Sequence, residues 1–174
     1  MKKKKIEGEI DMLNLNEIAR ECLEELDALE INYGKIERFE VNTRALKRWG
    51  QCRAVPGGYT INISARLLED EKSIKGLKET IIHEIIHTCK GCMNHGTEWK
   101  RIVNIVNNKY GYNIKRTSSS EEKQVNQISM ENYKHKVVCN GCGREVYKIR
   151  ECSITQHPES WKCGVCGSHF SRVY

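Results

Sequence analysis

The segment His83-Glu84-Ile85-Ile86-His87 constrains this chain more than any other part of it. An α-helix turns once per 3.6 residues, so side chains four positions apart lie on one face, about 6 Å from each other. On a helix, His83 and His87 are therefore spaced to hold a single metal ion. Glu84 projects from the neighbouring edge of that helix, where a carboxylate can act as general base on water near the metal. The pattern predicts a catalytic zinc site.

A third ligand is needed to complete such a site. Three protein ligands leave the fourth coordination position open for water, whereas four close the site and make it structural. His95 is the best candidate, because Gly91 and Gly96 bracket a short loop that can fold back after the helix. The alternative is that these are ordinary packed histidines. Two histidines and a glutamate in an apolar helix are costly to bury without a partner, so we expect three histidines on one catalytic Zn²⁺.

A second set of metal ligands lies near the C-terminus. Four of the nine cysteines form two CxxC pairs, Cys139 with Cys142 and Cys163 with Cys166. Two such pairs can place four thiolates tetrahedrally around one zinc ion, and Gly141 and Gly164 permit the backbone to turn towards it. Unbound thiols are the alternative, but so short a segment buries too little apolar surface to fold alone. We predict a zinc ribbon with a structural Zn²⁺ and a connecting strand at 146–150.

Apolar periodicity predicts the elements of the first domain. Helical spacing predicts a helix that begins after Asn14, the metal helix itself, and another helix that begins near Thr97. Strands are predicted at 36–41 and at 59–64, where apolar and polar side chains alternate. Pro56-Gly57-Gly58 predicts the turn before the second strand. These elements suffice for one compact domain with its own core.

The composition changes in the stretch from Thr117 to about Asn132. Here Ser-Ser-Ser-Glu-Glu-Lys-Gln replaces the large apolar residues, which is typical of a solvated linker or a polar helix. We therefore divide the chain into a domain at 1–116, a linker at 117–135 and a ribbon at 136–174.

The net charge and the number of cysteines limit the cellular locations and the binding partners that we expect. The formal net charge of +6 is a mild basic bias, which is compatible with nucleic acid but does not establish it. The lysines at 2–5 are interpreted as a solvated tail, with phosphate contact as the alternative. No apolar run reaches the roughly 20 residues that span a bilayer, and the lysines are not followed by the apolar core of a signal peptide. An odd number of cysteines with zinc-like spacing favours a reducing compartment. We expect a cytoplasmic protein without a membrane partner.

Together these residues resemble the SprT-like zinc metalloproteases, a family related to the Spartan proteases that degrade proteins crosslinked to DNA. HExxH alone fits many zinc peptidases, whereas its combination with WGxC upstream, HGxxW downstream and a terminal ribbon is much more specific. The resemblance covers most of residues 44 to 166. It rests on Arg48-Trp49-Gly50-Gln51-Cys52, Gly58-Tyr59-Thr60-Ile61-Asn62-Ile63-Ser64, Leu67-Leu68, the HExxH segment, Asn94-His95-Gly96-Thr97-Glu98-Trp99-Lys100 and the four-cysteine ribbon.

The resemblance implies an α+β fold in which a small antiparallel sheet packs on the metal helix, followed by the ribbon. It implies that His83, His87 and His95 bind zinc, that Glu84 is the catalytic base, and that the protein hydrolyses peptide bonds of protein substrates. Proteins bound or crosslinked to DNA are one candidate substrate class. Two alternatives stay open. One is a non-enzymatic zinc-dependent DNA-binding module, and the other is a regulatory peptidase that cuts one specific protein without DNA.

Two further features bear on activity and partners. The loop after His87 contains Cys89-Lys90-Gly91-Cys92, which is interpreted as loop packing, with a redox pair as the alternative. A thiol in the fourth zinc position would instead close the site. The ribbon carries basic and aromatic side chains suited to single-stranded DNA, although a purely structural ribbon is the alternative. These side chains are Arg144, Lys148, Arg150, Tyr147 and Trp161.

Overall fold

The computed structural model describes residues 13–174, which form two compact units. The first unit ends at Gln127 and the second spans Ile128–Tyr174. The predicted basic tail at 2–5 lies outside the described residues. None of the helices within 13–174 combines the length and the apolar character that crossing a bilayer requires.

The first unit contains three helices and three strands, and all but one strand lie at or near the predicted positions. The helices are α1 (Leu15–Asp27), α2 (Ile74–Ile86) and α3 (Thr97–Tyr110), and the strands are β1 (Ile36–Asn42), β2 (Gly50–Val55) and β3 (Gly58–Ser64). Short 3₁₀ turns at Ala65–Leu67 and Glu71–Ser73 lead into α2. As predicted, Asn14 caps α1, because its side chain accepts hydrogen bonds from two backbone N–H groups of the first turn. The strand β2 was not predicted, since the apolar residues that alternate along it, Cys52 and Ala54, are small and give a weak strand signal.

The α+β class is confirmed, but the expectation of a wholly antiparallel sheet is wrong. The strand order is β1-β3-β2. Strands β2 and β3 form an antiparallel hairpin around Pro56 and Gly57, where Gly57 adopts a left-handed φ of 92°. Strand β1 runs parallel to β3. The cause is the path of the chain. After β1 the chain crosses to β2 at the other edge of the sheet, and the hairpin then returns as β3 in the centre, in the same direction as β1.

Helix α2 is the central element of the first unit. Its buried residues lie on most of its circumference, and they contact β3 and α1. The core combines apolar side chains of all three helices with Ile61 and Ile63 of β3, which are fully buried. The backbone that carries His83, Glu84 and His87 is therefore fixed by packing on several sides.

The polar stretch after α3 packs against the first unit as far as Gln127. Lys123 and Glu79 form a buried ion pair of 3.0 Å, and the two residues are 4% and 5% exposed. The Trp49 indole N–H also donates to the Ser118 carbonyl over 3.0 Å. The prediction of a solvated linker from residue 117 is therefore wrong for this part. The composition predicted a solvated segment because it lacks large apolar residues, whereas the structure buries Lys123 against a carboxylate partner.

The second unit is a small antiparallel sheet with few buried apolar residues. Its strands are β4 (His135–Cys139), β5 (Glu145–Lys148) and β6 (Phe170–Arg172) in the order β5-β4-β6, with α4 (Ser153–Gln156) and 3₁₀ turns at Met130–Asn132 and Pro158–Ser160. Strand β5 lies where the connecting strand was predicted. The core consists of Val137, Cys139, Cys163 and Phe170, with Val146 and Ile154 beside it. Two of these four buried residues are cysteines, so the unit has little apolar core of its own.

Candidate functional site

The structure brings the three predicted histidines together. His83 lies in the last turns of α2, His87 follows its final residue with helical φ and ψ of −61° and −19°, and His95 lies in the loop before α3. The Nε2 atom of His83 is 3.2 Å from that of His87 and 3.0 Å from that of His95. One face of α2 and the returning loop therefore converge on one point.

The spacing and the protonation of these rings fit a metal ion. Two nitrogens bound about 2.0–2.1 Å from a tetrahedral zinc lie roughly 3.3 Å apart, close to the separations observed. Burial, reinforced by the neighbouring imidazoles, lowers the pKa of His83 to about 3. Burial also lowers the pKa of His95. Neutral His83 and His95 rings present lone pairs rather than protons to a cation. By their positions, the three histidines form a group that can hold a metal ion.

Backbone groups orient two of the rings from behind. The Nδ1 atom of His87 lies 2.7 Å from the carbonyl oxygen of Cys92. An N–H at Nδ1 that donates to this oxygen leaves Nε2 free as the ligand atom, which is the usual arrangement around metal-bound histidine. A backbone hydrogen bond with Lys115 opposes the lowering of the His83 pKa. The loop residues therefore select the tautomer as well as the position of the rings.

Trp99 supports all three histidines, a role that the sequence analysis missed. Its ring centroid lies 4.9 Å from that of His83, 4.6 Å from that of His95 and 5.9 Å from that of His87, which it stacks against. It is 3% exposed and begins the apolar face of α3. The HGxxW spacing was the available signal, since it places Trp99 one helical turn after His95. Trp99 thus forms an apolar wall that restricts the rotation of the rings.

Glu84 lies beside this cluster and is 8% exposed. Its Oε2 accepts a hydrogen bond of 2.8 Å from the backbone N–H of Cys52 in β2. Burial raises the pKa of Glu84 to about 7, against the opposing effects of the Cys52 amide and Arg48. A carboxyl group with a pKa near neutrality can both accept and return a proton. The histidines and Glu84 line one cavity of about 530 Å³.

The two loop cysteines lie outside the ligand cluster. Cys89 and Cys92 are buried in the core, and the N–H of Cys92 donates to the carbonyl of Cys89 over 3.1 Å. Burial raises the pKa of Cys89 to about 11 and also raises the pKa of Cys92. Within residues 13–174, the histidine group contains no thiol. These contacts favour loop packing over a fourth metal ligand.

The four predicted ribbon cysteines also come together. The Sγ atoms of Cys139 and Cys166 are 3.3 Å apart, and those of Cys142 and Cys163 are 3.7 Å apart. Four sulfurs at about 2.3 Å from a tetrahedral zinc would be roughly 3.8 Å apart. Cys139 and Cys163 are buried, whereas Cys142 and Cys166 are exposed. These four thiols form a second group that can hold a metal ion.

Glycines that follow the two CxxC pairs also take part in the turns of this cluster. Gly143 and Gly167, each following the second cysteine of a pair, adopt left-handed φ values of 71° and 75°. Their N–H groups donate to the carbonyls of Cys139 and Cys163 over 3.0 and 2.8 Å. The chain turns at 140–142 and 164–166, inside each pair, and the glycine after the pair closes the turn. A Cβ on Gly141 would lie 2.8 Å from Ser168 Cβ and 3.1 Å from Cys166 Sγ, so this glycine inside the first pair permits close packing beside the cluster.

Comparison with known proteins points to one family. The model of the SprT-like family matches residues 19–118, more than half of the chain. The matched region contains the three histidines, Glu84 and Cys52, and it ends before the four-cysteine cluster. Comparison with curated proteins gave no match.

Proposed function

Because this chain belongs to the SprT-like family, we propose that it is a zinc-dependent metallopeptidase that hydrolyses peptide bonds in protein substrates. The observation that carries the proposal is the convergence of three imidazole Nε2 atoms beside one buried carboxylate. No fourth protein ligand joins the histidine group within the described residues, which supports an open coordination position. The ribbon cysteines have the closed, four-thiolate ligand set of a structural zinc.

Each residue of the site has a separate task. His83, His87 and His95 would hold the catalytic zinc. The chemistry that zinc supplies when bound by three imidazoles is Lewis acidity, which acidifies water and polarises a peptide carbonyl. Glu84 accepts a proton from the attacking water on its carboxylate. It then donates this proton to the amine nitrogen as the C–N bond breaks, so the group ends in its starting state.

A cleavage assay with a matched pair of variants tests this proposal. Zinc-loaded protein is incubated with an unfolded protein substrate, and Glu84→Gln is compared with Glu98→Gln, a partly exposed position on α3 whose carboxylate pairs with Arg101. Glu84→Gln should lower the rate about 10²–10⁴-fold, because an amide cannot shuttle the proton. Glu98→Gln should keep the wild-type rate, and both variants should keep the wild-type metal content. Unchanged cleavage by purified Glu84→Gln would overturn the proposal.

We further propose that the second unit binds single-stranded DNA, so that substrates bound or crosslinked to DNA are brought to the protease. Trp161 is 46% exposed and can stack on a base. Arg144 and Arg150 are exposed and can contact phosphates. Tyr147 is less available, because its ring packs against Tyr133 and lies beneath the Lys136 ammonium. Trp161 is therefore the aromatic residue on which this proposal depends.

Fluorescence anisotropy with a labelled oligothymidine, measured over a salt series, tests the DNA proposal. Trp161→Ala should weaken binding about 5- to 150-fold, equivalent to one lost stacking contact of about 1–3 kcal/mol. Val173→Ala, another exposed apolar position of the same unit, should not. Arg150→Gln should reduce the slope against log salt by about 0.7. If the binding affinity changes neither with salt concentration nor in Trp161→Ala, the DNA proposal is wrong. The alternative of a peptidase without a DNA requirement then stands.

A further inference from the structure

We propose that two residues of β2, Gly50 and Cys52, are positioning residues that fix the carboxylate of Glu84. This inference rests on the proposed function, because it concerns the base of that same reaction. Glu84 is carried by α2, so the helix fixes its Cα, but three side-chain torsions still decide where its carboxylate lies. The contacts with β2 fix the position of the carboxylate.

The first contact is electrostatic. Among residues 13–174, strand β2 pairs only with β3 at one edge of the sheet, so alternate N–H groups face away from the sheet. The N–H of Cys52 is one of these, and it donates to Glu84 Oε2 over 2.8 Å. A backbone donor cannot rotate out of place as a side chain can. This bond therefore fixes one oxygen of the carboxylate relative to the sheet.

The second contact is steric and explains why residue 50 is glycine. A Cβ atom placed on Gly50 would lie 2.7 Å from both Cγ and Oε1 of Glu84. The φ of Gly50 lies outside the left-handed region, so its backbone conformation does not require glycine. What requires glycine is the space taken by Glu84. The carboxylate thus packs directly on the strand backbone, with one oxygen against Gly50 and the other on Cys52 N–H.

A single added methyl group should therefore displace the base. The strand cannot easily retreat, because β2 is bonded along its length to β3, so the Glu84 side chain must rotate. A displacement of about 1 Å can cost roughly 100-fold in rate. Gly50→Ala should lower kcat by about this factor, while KM and metal content stay near their wild-type values. Ala54→Ser adds one heavy atom at an exposed position of the same strand and should change none of these quantities.

Two measurements distinguish positioning from general damage. In ¹H–¹⁵N spectra of the zinc-loaded full chain, the Cys52 amide should shift upfield in Glu84→Gln and in Gly50→Ala, but not in Ala54→Ser. The second measurement is a double-mutant cycle that compares Gly50→Ala in the wild-type and Glu84→Asp backgrounds. The aspartate side chain is one methylene shorter, so its carboxylate withdraws from the strand. Gly50→Ala should then cost much less than 100-fold.

The results separate this inference from the proposed function. If Glu84 is essential but Gly50→Ala keeps the wild-type kcat, or if the Cys52 amide does not move in Glu84→Gln, the positioning role is wrong and the peptidase proposal stands. If even the wild-type protein cleaves nothing, the peptidase proposal fails. The shift of the Cys52 amide in Gly50→Ala then decides by itself whether β2 holds the carboxylate.

Discussion

The two metal-ligand groups of this protein are built in opposite ways. The three histidines lie on a helix and a loop that are packed into an extensive apolar core. The four cysteines lie on turns of a unit whose core contains only four buried apolar residues, two of them cysteines of the cluster itself. In the first unit the fold creates the site, whereas in the second unit we expect the metal to create the fold.

This difference fits the functions that we propose for the two sites. A site that binds and releases substrate keeps a coordination position open, so its geometry has to come from the protein around it. Cys92, Lys115 and Trp99 supply that support for the histidines. A closed site with four thiolates needs no access, and its bond energy is free to stabilise a short chain. The backbone N–H of Ser168, which lowers the pKa of Cys166 to about 6, favours the thiolate required for this.

The largest expected effect is that of metal removal. A strong zinc chelator should unfold the second unit, because structural zinc contributes about 10–16 kcal/mol to the folding of such small domains. The first unit should stay folded through its apolar core. Amide ¹H–¹⁵N spectra recorded before and after chelation measure both units at once. Collapse of the resonances of 128–174 alone is expected.

A pair of cysteine variants sharpens the same test without chelator. Cys163→Ser removes a ligand and should unfold the second unit, whereas Cys152→Ser changes a half-buried cysteine outside the cluster and should not. Retention of native amide resonances in metal-free 128–174 would contradict the idea that metal binding creates this fold. Simultaneous loss of both units would contradict the independence of the first.

An intermediate effect is expected from the buried ion pair of the first unit. Lys123→Met should destabilise this unit by about 3–5 kcal/mol, because the Glu79 carboxylate would stay buried without its cation. Glu79 also accepts the Asn113 N–H over 2.8 Å, so the segment that follows α3 should loosen. Lys75→Met, at an exposed position of α2, is the control. Thermal unfolding of the first unit, with the second monitored separately, provides the measurement, and equal Tm values for the two variants would refute the prediction.

The smallest effect is expected at the loop cysteines. Cys89→Ala should leave metal content and cleavage rate unchanged and should cost about 1 kcal/mol of stability, since only a small buried side chain is lost. Cys89→Ala and Cys163→Ser each change one cysteine of a CxxC motif, the first in the first unit and the second in the second unit. Comparing the two variants tests whether the two motifs have different roles. Loss of one metal equivalent in Cys89→Ala would show that a thiol takes part in the histidine site.

The sequence predicted local features well where a pattern had one geometric meaning. The i, i+4 spacing of His83 and His87 predicted a shared helical face, and Asn14 predicted the start of α1. Spacing also grouped Cys139 with Cys142. The sequence did not predict β2, because the apolar residues that alternate from Gln51 to Ala54 are only the small cysteine and alanine, and the strand is recognised by its pairing with β3.

Long-range contacts account for the errors. Lys123 was expected in solvent because its partner, Glu79, lies far away in the sequence. The parallel pairing of β1 with β3 depends on the path of the chain around the sheet, which strand patterns do not encode. The left-handed positions at Gly143 and Gly167 depend on where each turn closes on a carbonyl. In each case the contact that determines the structure involves a residue far away in the sequence or a backbone atom. Neither kind of contact produces a periodic pattern of side chains in the sequence.

By itself the sequence determined the chemistry of this protein: three imidazoles with one carboxylate, and four thiols in pairs, because the donor types and their local spacing belong to single segments. Only the tertiary structure decided how those groups are held. It set Glu84 against the edge of β2, Trp99 behind the three rings and a buried lysine beside the metal helix. Packing brings together segments that are distant along the chain, and the final orientation of each side chain is fixed by those neighbours.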